Sequence, residues 1–232
     1  MTTTLGKSNI IKWTALYAVH AKLSNEELVT LIESQSSIRP PVDSRLRTML
    51  ISLAHSELVS TTTFTKFIEE YSITSKGKDY LFEQAEAWLQ ELNHHLLIMR
   101  HAMYEETDHS IKPLTLDQSR FLAQYINYKS VVPYMVQYCL KGKQAFITSQ
   151  ISEVLYESFR FTCSQTILLQ QIERLTENGY LLRADMQDKA FFKWAKEDDP
   201  ALYDSYYTCI HTVTRQLEEL ISFITSILSK IE

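Results

Sequence analysis

The sequence contains few residues that break regular secondary structure. Its 232 residues include four glycines and five prolines, which is too few for an all-β protein with frequent turns. Hydrophobic residues make up 45% of the chain and charged residues 22%, a composition that also excludes a disordered chain. The sequence therefore predicts a globular, mainly helical protein, either one large domain or two domains of about 100 residues each.

Cysteines and long apolar runs are scarce as well. Cys139, Cys163 and Cys209 are the only cysteines, and an odd number without a Cys-X-X-Cys pair fits reduced, packed thiols better than disulfides or a structural zinc site. No apolar run approaches the roughly 20 residues of a membrane-spanning helix, and the N-terminus lacks the apolar core of a signal peptide. We therefore expect a cytoplasmic protein without a membrane partner.

The sequence also has fewer basic than acidic residues, 23 lysines and arginines against 28 aspartates and glutamates. The formal net charge is -5, whereas proteins that bind nucleic acid usually carry a net positive charge. Any surface that binds nucleic acid must therefore be local and must lie within an otherwise acidic protein.

The first half of the chain shows the periodicity of three helices. Residues 9–21 place apolar side chains on one helical stripe, as in a helix that covers a core. Ser24 is followed three residues later by Glu27, which predicts a capping box at the start of a second helix. Apolar residues at steps of three and four predict a third helix from about Val42 to Ser56.

A hairpin and a long helix follow. Residues 58–73 are rich in β-branched and aromatic residues, which predicts two short strands with a tip around residues 63–66. Apolar residues recur at steps of three or four over residues 76–105, and this predicts a long helix that cannot bury its apolar face alone. The polar stretch at residues 105–115 interrupts the periodicity and is the best candidate boundary between two modules.

The second half of the chain repeats this order. Its patterns predict three helices, a hairpin and a long helix headed by Pro200, with Thr148 or Ser149 as the cap of the second helix. The predicted segments are, in that order, residues 130–146, 148–159, 163–179, 180–195 and 200–231. The pattern leaves the element type of residues 116–129 open.

A constant shift along the chain relates the two halves. Leu58 and Tyr180 lie 122 positions apart (180 − 58). The same shift takes Leu46, Leu50 and Leu53 to Leu168, Ile172 and Leu175. We therefore predict a mainly α protein with small β-hairpins, built of two tandem modules at residues 1–108 and 115–232. The two long helices can then pair as in a homodimer, which gives a monomeric pseudo-dimer; a homodimer of the chain, or two modules docked without symmetry, are the alternatives.

Two stretches resemble winged helix-turn-helix regulators of the PadR and MarR-like type. Residues 164–181, SQTILLQQIERLTENGYL, resemble the recognition helix and the next strand, and residues 69–81, EEYSITSKGKDYL, resemble the second wing strand and the following helix start of PadR-type regulators. The matching residues are Ser164, Thr166, Leu168, Ile172, Leu175, Gly179, Tyr180 and Leu181, and then Tyr71, Ile73, Thr74, Gly77 and Tyr80. In the first half, Glu57 replaces the family's glycine after the recognition helix. Arg47 and Leu169 replace its typical aromatic residue in mid-helix.

The resemblance implies tandem winged-helix modules and a transcription regulator that binds double-stranded DNA. In such proteins the third helix of a module enters the major groove, and the wing approaches the phosphate backbone. The implied DNA-binding residues are Arg39, Ser44, Arg45, Arg47, Thr48 and Lys66 in the first half, and Arg160, Ser164, Gln165, Thr166, Gln170, Gln171, Lys189 and Lys193 in the second. Arginine suits guanine and phosphate, whereas glutamine can read adenine, so the two halves are expected to contribute unequally. The alternative for each charge is an ordinary solvated position.

Other kinds of site are less well supported. His94, His95 and His101 share one helix without a matching set of carboxylates or cysteines, so we expect them at a surface or interface and expect no metal site. Cys163 begins a helix, where a thiolate is favoured, but a packed thiol is the simpler interpretation. The chain has no glycine-rich phosphate loop, Gly-X-Ser-X-Gly elbow or His-Glu-X-X-His pair, so we expect neither an enzyme nor a cofactor.

Two partner classes other than DNA stay open. Some related regulators bind a small-molecule effector between their long helices, where Trp13, Trp88, Tyr80 and Phe82 would line a cavity, although core packing explains the same residues. The negative net charge also favours a protein-interaction scaffold or adaptor, in which duplicated winged helices have lost DNA binding. DNA binding that weakens with salt separates the regulator from the scaffold.

Overall fold

The fold is mainly helical and contains two small antiparallel sheets. The computed structural model describes residues 3–34, 38, 43–65, 68–104, 110–160 and 163–231, without the side chains of residues 43, 44, 63–65, 68 and 69. The elements of the first half are α1 (Lys7–Ala21), α2 (Asn25–Glu33), α3 (Asp43–His55), β1 (Val59–Thr65), β2 (Ile68–Ile73) and α4 (Ser75–Tyr104). Those of the second half are α5 (Leu116–Leu122), α6 (Tyr128–Leu140), β3 (Phe146–Ile147), α7 (Thr148–Phe159), α8 (Gln165–Glu177), β4 (Leu181–Met186), β5 (Lys189–Trp194) and α9 (Pro200–Leu228). Among the described residues of both halves, no helix has the length and apolar character needed to cross a bilayer.

Most of the predicted helix boundaries are confirmed. Helix α3 begins one residue after the predicted Val42 and ends one residue before the predicted Ser56. The capping box of α2 is present: the Glu27 N–H donates to the Ser24 hydroxyl oxygen at 3.2 Å, and the Ser24 N–H donates to the Glu27 carboxylate at 2.7 Å. Both long helices are also present, and Pro200 is the first residue of α9.

The segment between α6 and α7 differs from the prediction. Helix α6 ends at Leu140, and residues 146 and 147 form the short strand β3 rather than the end of a helix. The residue before α7 is Ile147, not Thr148 or Ser149, and its N–H donates to the Gln150 side-chain oxygen at 3.1 Å. The cap therefore comes from a side chain inside the helix, three residues after the capped amide.

The chain divides into two compact units. The first unit contains residues 1–93 together with residues 216–232, and the second contains residues 94–215. Each long helix therefore contributes to both units. This grouping reflects contacts and not the repeat, so the predicted modules at 1–108 and 115–232 stay a prediction.

The first unit has two tryptophans in its core. Trp13 and Trp88 are buried with their rings edge to face at a centroid distance of 6.0 Å. The Trp13 indole N–H donates to the Leu81 carbonyl at 2.9 Å, and the Trp88 indole N–H donates to the Thr3 carbonyl at 3.0 Å. Because both polar indole groups are satisfied, the two rings can be buried without an unpaired donor. Core packing therefore accounts for both residues.

The second unit packs a three-stranded sheet beside a group of helices. Helix α6 contacts α7, α8 and β5, and the strand order in the sheet is β3-β5-β4. Strands β4 and β5 form a hairpin in which Leu181 pairs with Trp194 and Met186 pairs with Lys189. Gln187 and Asp188 form the two-residue turn with φ angles of 48° and 60°, as a type I′ hairpin turn requires.

The joints between α3 and β1 and between α8 and β4 have the same hydrogen bonds. The Leu58 N–H donates to the Leu53 carbonyl at 3.0 Å, and the Tyr180 N–H donates to the Leu175 carbonyl at 2.8 Å. These are equivalent bonds under the shift of 122 positions (180 − 58), and both are typical of a Schellman helix end. The joint geometry therefore agrees with the repeat that the sequence predicts.

Candidate nucleic-acid interface

Helix α3 exposes basic residues on one side and buries leucines on the other. Arg45, Arg47 and Thr48 are exposed, whereas Leu46 and Leu53 are buried. The amphipathic pattern places the arginines on the solvent side of the helix because the leucines face the core. The predicted candidates Arg39 and Lys66 lie outside the described residues, as does the side chain of Ser44.

The exposed side of α3 carries no negative charge among its described side chains. Between residues 45 and 55 the sequence has no aspartate or glutamate. Neither Arg45 nor Arg47 forms a salt bridge with a described residue. Two exposed guanidinium groups near a helix start, without a salt bridge to any described side chain, are well suited to phosphate or guanine.

The hairpin of the first unit has a different surface. Thr61, Thr62 and Glu70 are exposed on its described part. Glu57, just before the hairpin, forms a salt bridge with Lys76 at 2.8 Å, and hydrogen bonding to this ammonium lowers the pKa of the Glu57 carboxyl. In the described residues of this unit, the basic face therefore belongs to α3 and not to the hairpin.

Helix α8 exposes neutral polar side chains at its start. The Ser164 hydroxyl accepts a hydrogen bond from the Ile167 N–H at 3.3 Å and so caps the helix. Gln165, Thr166 and Gln170 are exposed on its first turns. This end of α8 can offer hydrogen bonds to a partner but supplies no cationic side chain of its own.

Two predicted residues of the second half do not lie on the exposed face of α8. Gln171 is only 4% exposed, so its side chain does not share the exposed face of α8 with Gln165 and Gln170. Leu168 and Ile172 are buried on the same helix, and Gln171 lies on this inner side despite its polarity. Arg160 is half-buried after the end of α7, where it adopts a left-handed conformation with φ 59°.

The β4–β5 hairpin combines lysines with exposed apolar side chains. Lys189 and Lys193 are exposed. They pair across the hairpin with Met186 and Leu182, which are 60% and 62% exposed. Cross-strand partners lie on the same face of a sheet, so this face is both basic and apolar. The sequence predicted the lysines, but strand alternation alone did not reveal which apolar side chains would be exposed.

The three cysteines of the second unit are free thiols, of which Cys139 is buried and Cys163 and Cys209 are half-buried. Burial raises the pKa of Cys163 to about 11 and also raises the pKa of Cys139. A thiol with a raised pKa holds little thiolate at neutral pH and reacts slowly. Cys163 is therefore a poor redox sensor, as the packed-thiol interpretation predicts.

Two of the three histidines on α4 are buried, whereas His94 is half-buried, with its Nε2 2.8 Å from the Lys112 carbonyl oxygen. His95 is fully buried, and its Nε2 lies 3.0 Å from the Gln118 carbonyl oxygen. His101 is also buried. Within the described ranges, no three histidine, cysteine, aspartate or glutamate side chains come together as metal ligands. His95 and His101 therefore contribute to the core of the second unit.

Comparison with known proteins gives no relative for this chain. No protein-family model, no curated protein and no solved structure matches it.

Proposed function

We propose that the chain is a cytoplasmic transcription regulator that binds double-stranded DNA through winged-helix modules. In this proposal α3 and α8 are the recognition helices, and the β1–β2 and β4–β5 hairpins are the wings. The chain acts as a pseudo-dimer in which one polypeptide supplies both modules. The proposal rests on the residues of this chain alone.

The basic face of α3 is the observation that carries the proposal. Arg45 and Arg47 are exposed, lack salt bridges to described residues and share a helix without described acidic side chains. In a protein with a net charge of -5, an exposed pair of arginines of this kind marks a local site for polyanions. Phosphate contacts by such residues supply much of the affinity for DNA.

The second unit supports the proposal through its element order. Helix α6, strand β3, helices α7 and α8, and the β4–β5 hairpin follow one another, with the sheet order β3-β5-β4. This order of a helix, a short strand, two helices and a hairpin is the one that the proposed winged-helix module requires. It leaves the start of α8 exposed, where a recognition helix would meet base edges.

A selection experiment tests the proposal. The purified chain is incubated with a pool of random DNA duplexes, and the bound duplexes are sequenced over several rounds. We expect enrichment of a common motif that disappears with Arg45→Ala/Arg47→Ala. The control variant Lys112→Ala/Lys143→Ala removes two exposed positive charges outside α3, and we expect it to retain the motif. Failure to enrich any sequence would argue against a sequence-specific regulator.

A protein-interaction scaffold is the second candidate function. Leu182 and Met186 on the hairpin and Leu169 on α8 are exposed, and apolar side chains on these surfaces suit a protein partner better than DNA phosphates. Under this function, the chain binds duplexes weakly and without sequence preference. Changes at the arginines of α3 then have no effect on its interactions.

A further inference from the structure

A pocket in the second unit has positive charges around it. It lies among α6, α8, the residues around the β4–β5 hairpin and the start of α9, and its volume is about 670 Å³. This size falls within the range of small-molecule sites. Its lining includes three cationic side chains, Lys129, Arg174 and Lys196, and no acidic one. The lining therefore favours an anion.

One of these cations is held in place by its neighbours. The Lys196 ammonium donates to the Asn178 carbonyl at 2.8 Å and lies 3.9 Å from the centre of the Tyr180 ring. The Tyr180 hydroxyl is hydrogen-bonded to Asp199, and this bond is the main reason that the pKa of the Asp199 carboxyl is lowered. A fixed ammonium loses little side-chain entropy when it binds an anion.

The pocket also contains a buried polar side chain without a partner. Gln171 lines the pocket and is 4% exposed. Its Oε1 atom is buried and accepts no hydrogen bond from the described residues. A buried amide oxygen without a partner costs about 1–3 kcal/mol. A ligand that supplies a donor such as a hydroxyl group would satisfy it.

We propose that this pocket binds a phosphate monoester that carries hydroxyl groups, such as a sugar phosphate or a nucleoside monophosphate. Lys129, Arg174 and Lys196 bind the phosphate, because three cations suit a dianion better than a single carboxylate. The Asp199 carboxylate, which interacts with Lys196 from outside the lining, offsets part of this charge. Gln171 accepts a hydrogen bond from a ligand hydroxyl group. Pro133 and Leu175 provide the apolar part of the wall. The site does not depend on DNA binding by the chain.

Titration calorimetry with the full chain tests this site. The probes are ribose 5-phosphate, glucose 6-phosphate and adenosine monophosphate, each compared with its dephosphorylated form and with inorganic phosphate. We expect at least one ester to bind, more tightly than inorganic phosphate, while the dephosphorylated forms do not bind. The proposal is wrong if no ester of this panel binds, or if inorganic phosphate binds as tightly as the esters.

Variants assign the binding to the pocket. Arg174→Ala removes an exposed cation and should weaken ester binding about tenfold or more, as expected for a charge-assisted hydrogen bond. The control Lys143→Ala removes an exposed cation outside the pocket and should leave the affinity unchanged. Equal effects of the two variants would show that the ester binds elsewhere and would overturn the proposal.

Gln171→Leu separates a ligand-binding role from a structural role. Because Oε1 has no described partner, the leucine should keep or raise the melting temperature of the free protein while weakening ester binding about fivefold or more. A higher melting temperature with unchanged affinity would overturn the role of Gln171.

A DNA-binding measurement covers the remaining outcome for the three cations. If no ester binds and Arg174→Ala weakens duplex DNA binding, the cations bind DNA phosphates and the pocket proposal is wrong.

Discussion

The two joints between a helix and its hairpin share a backbone geometry but differ in the residue that adopts it. Glu57 after α3 has φ 60°, and Gly179 after α8 has φ 70°. The left-handed conformation costs a residue with a side chain about 1–2 kcal/mol, whereas glycine adopts it freely. The same turn therefore forms without glycine when the surrounding contacts require it.

The contacts around Glu57 show what holds the strained residue in place. The Thr74 hydroxyl donates to the Glu57 carbonyl at 2.8 Å, and the Thr74 N–H donates to the Leu58 carbonyl at 3.1 Å. The Lys76 ammonium contacts the Glu57 carboxylate at 2.8 Å. These bonds tie the end of the hairpin and the start of α4 to the joint, so the conformation of Glu57 is fixed by its neighbours.

The two third helices also differ, and this difference concerns function. Helix α3 exposes Arg45 and Arg47, whereas the start of α8 exposes Gln165 and Gln170. In the second unit, two exposed lysines, Lys189 and Lys193, lie on the hairpin that follows α8. If both helices meet DNA, the first supplies mainly charge and the second mainly hydrogen bonds, so their variants should have distinguishable effects.

Gly77→Ala should have the largest effect on stability because it breaks the first joint. A Cβ at Gly77 would lie 2.1 Å from the Leu58 carbonyl oxygen and 2.8 Å from Ile73 Cγ1. Backbone cannot move aside cheaply, so we expect the free energy of unfolding to fall by about 3 kcal/mol, measured by urea denaturation. Ser75→Ala, at an exposed neighbouring position, is the control. A loss below about 1 kcal/mol would show that the joint is less tightly packed than the structure indicates.

Gly179→Ala should have an intermediate effect. The added Cβ would meet only Lys196 Cε, at an ordinary 3.8 Å, so the cost is that of the backbone conformation alone. We expect a loss of about 1–2 kcal/mol, and a smaller loss for Gly179→Asn because asparagine tolerates this conformation better. Equal stability of the alanine variant and the unchanged protein in urea denaturation would contradict a strained joint.

Glu57→Gly should have the smallest effect and the opposite sign. Glycine adopts the left-handed conformation without strain, which raises the free energy of unfolding. Glycine also makes the unfolded chain more flexible, and this lowers the free energy of unfolding by about 0.5–1 kcal/mol. The lost salt bridge to Lys76 is exposed and contributes little. We expect a net stabilisation below about 1 kcal/mol, detectable as a higher urea midpoint. The matched variant Glu57→Ala keeps the strain and should not be stabilised; a gain of equal size in both variants would exclude strain as the cause.

Much of the fold could be predicted because its signals are local and repeated. The spacing of leucines places α3 within one residue at each end, and Ser24 and Glu27 predict their own hydrogen bonds. The shift between Leu58 and Tyr180 also predicts two equivalent joints. The contacts of Thr74 and Lys76 that hold Glu57 in its left-handed conformation could not be predicted, because these residues lie beyond the hairpin.

The missed features depend on tertiary packing. Strand β3 has only two residues, too few for a periodic signal. A glutamine in a helix is normally expected on the surface, and only the packing of α8 shows that Gln171 is buried. For the candidate interface, the sequence predicts Arg45 and Arg47, and both side chains are exposed. The exposure of Leu182 could not be predicted, because it depends on which face of the β4–β5 hairpin packs against the rest of the second unit.

The salt dependence of duplex DNA binding tests the central claim most directly. The dissociation constant is measured at several salt concentrations for the unchanged chain, Arg45→Ala/Arg47→Ala and Gln165→Ala/Gln170→Ala. We expect affinity to fall steeply with salt, the arginine variant to bind more weakly with a slope reduced by about two, and the glutamine variant to keep the slope while losing sequence preference. Binding that is independent of salt, or an unchanged slope and affinity in the arginine variant, would contradict DNA recognition through α3.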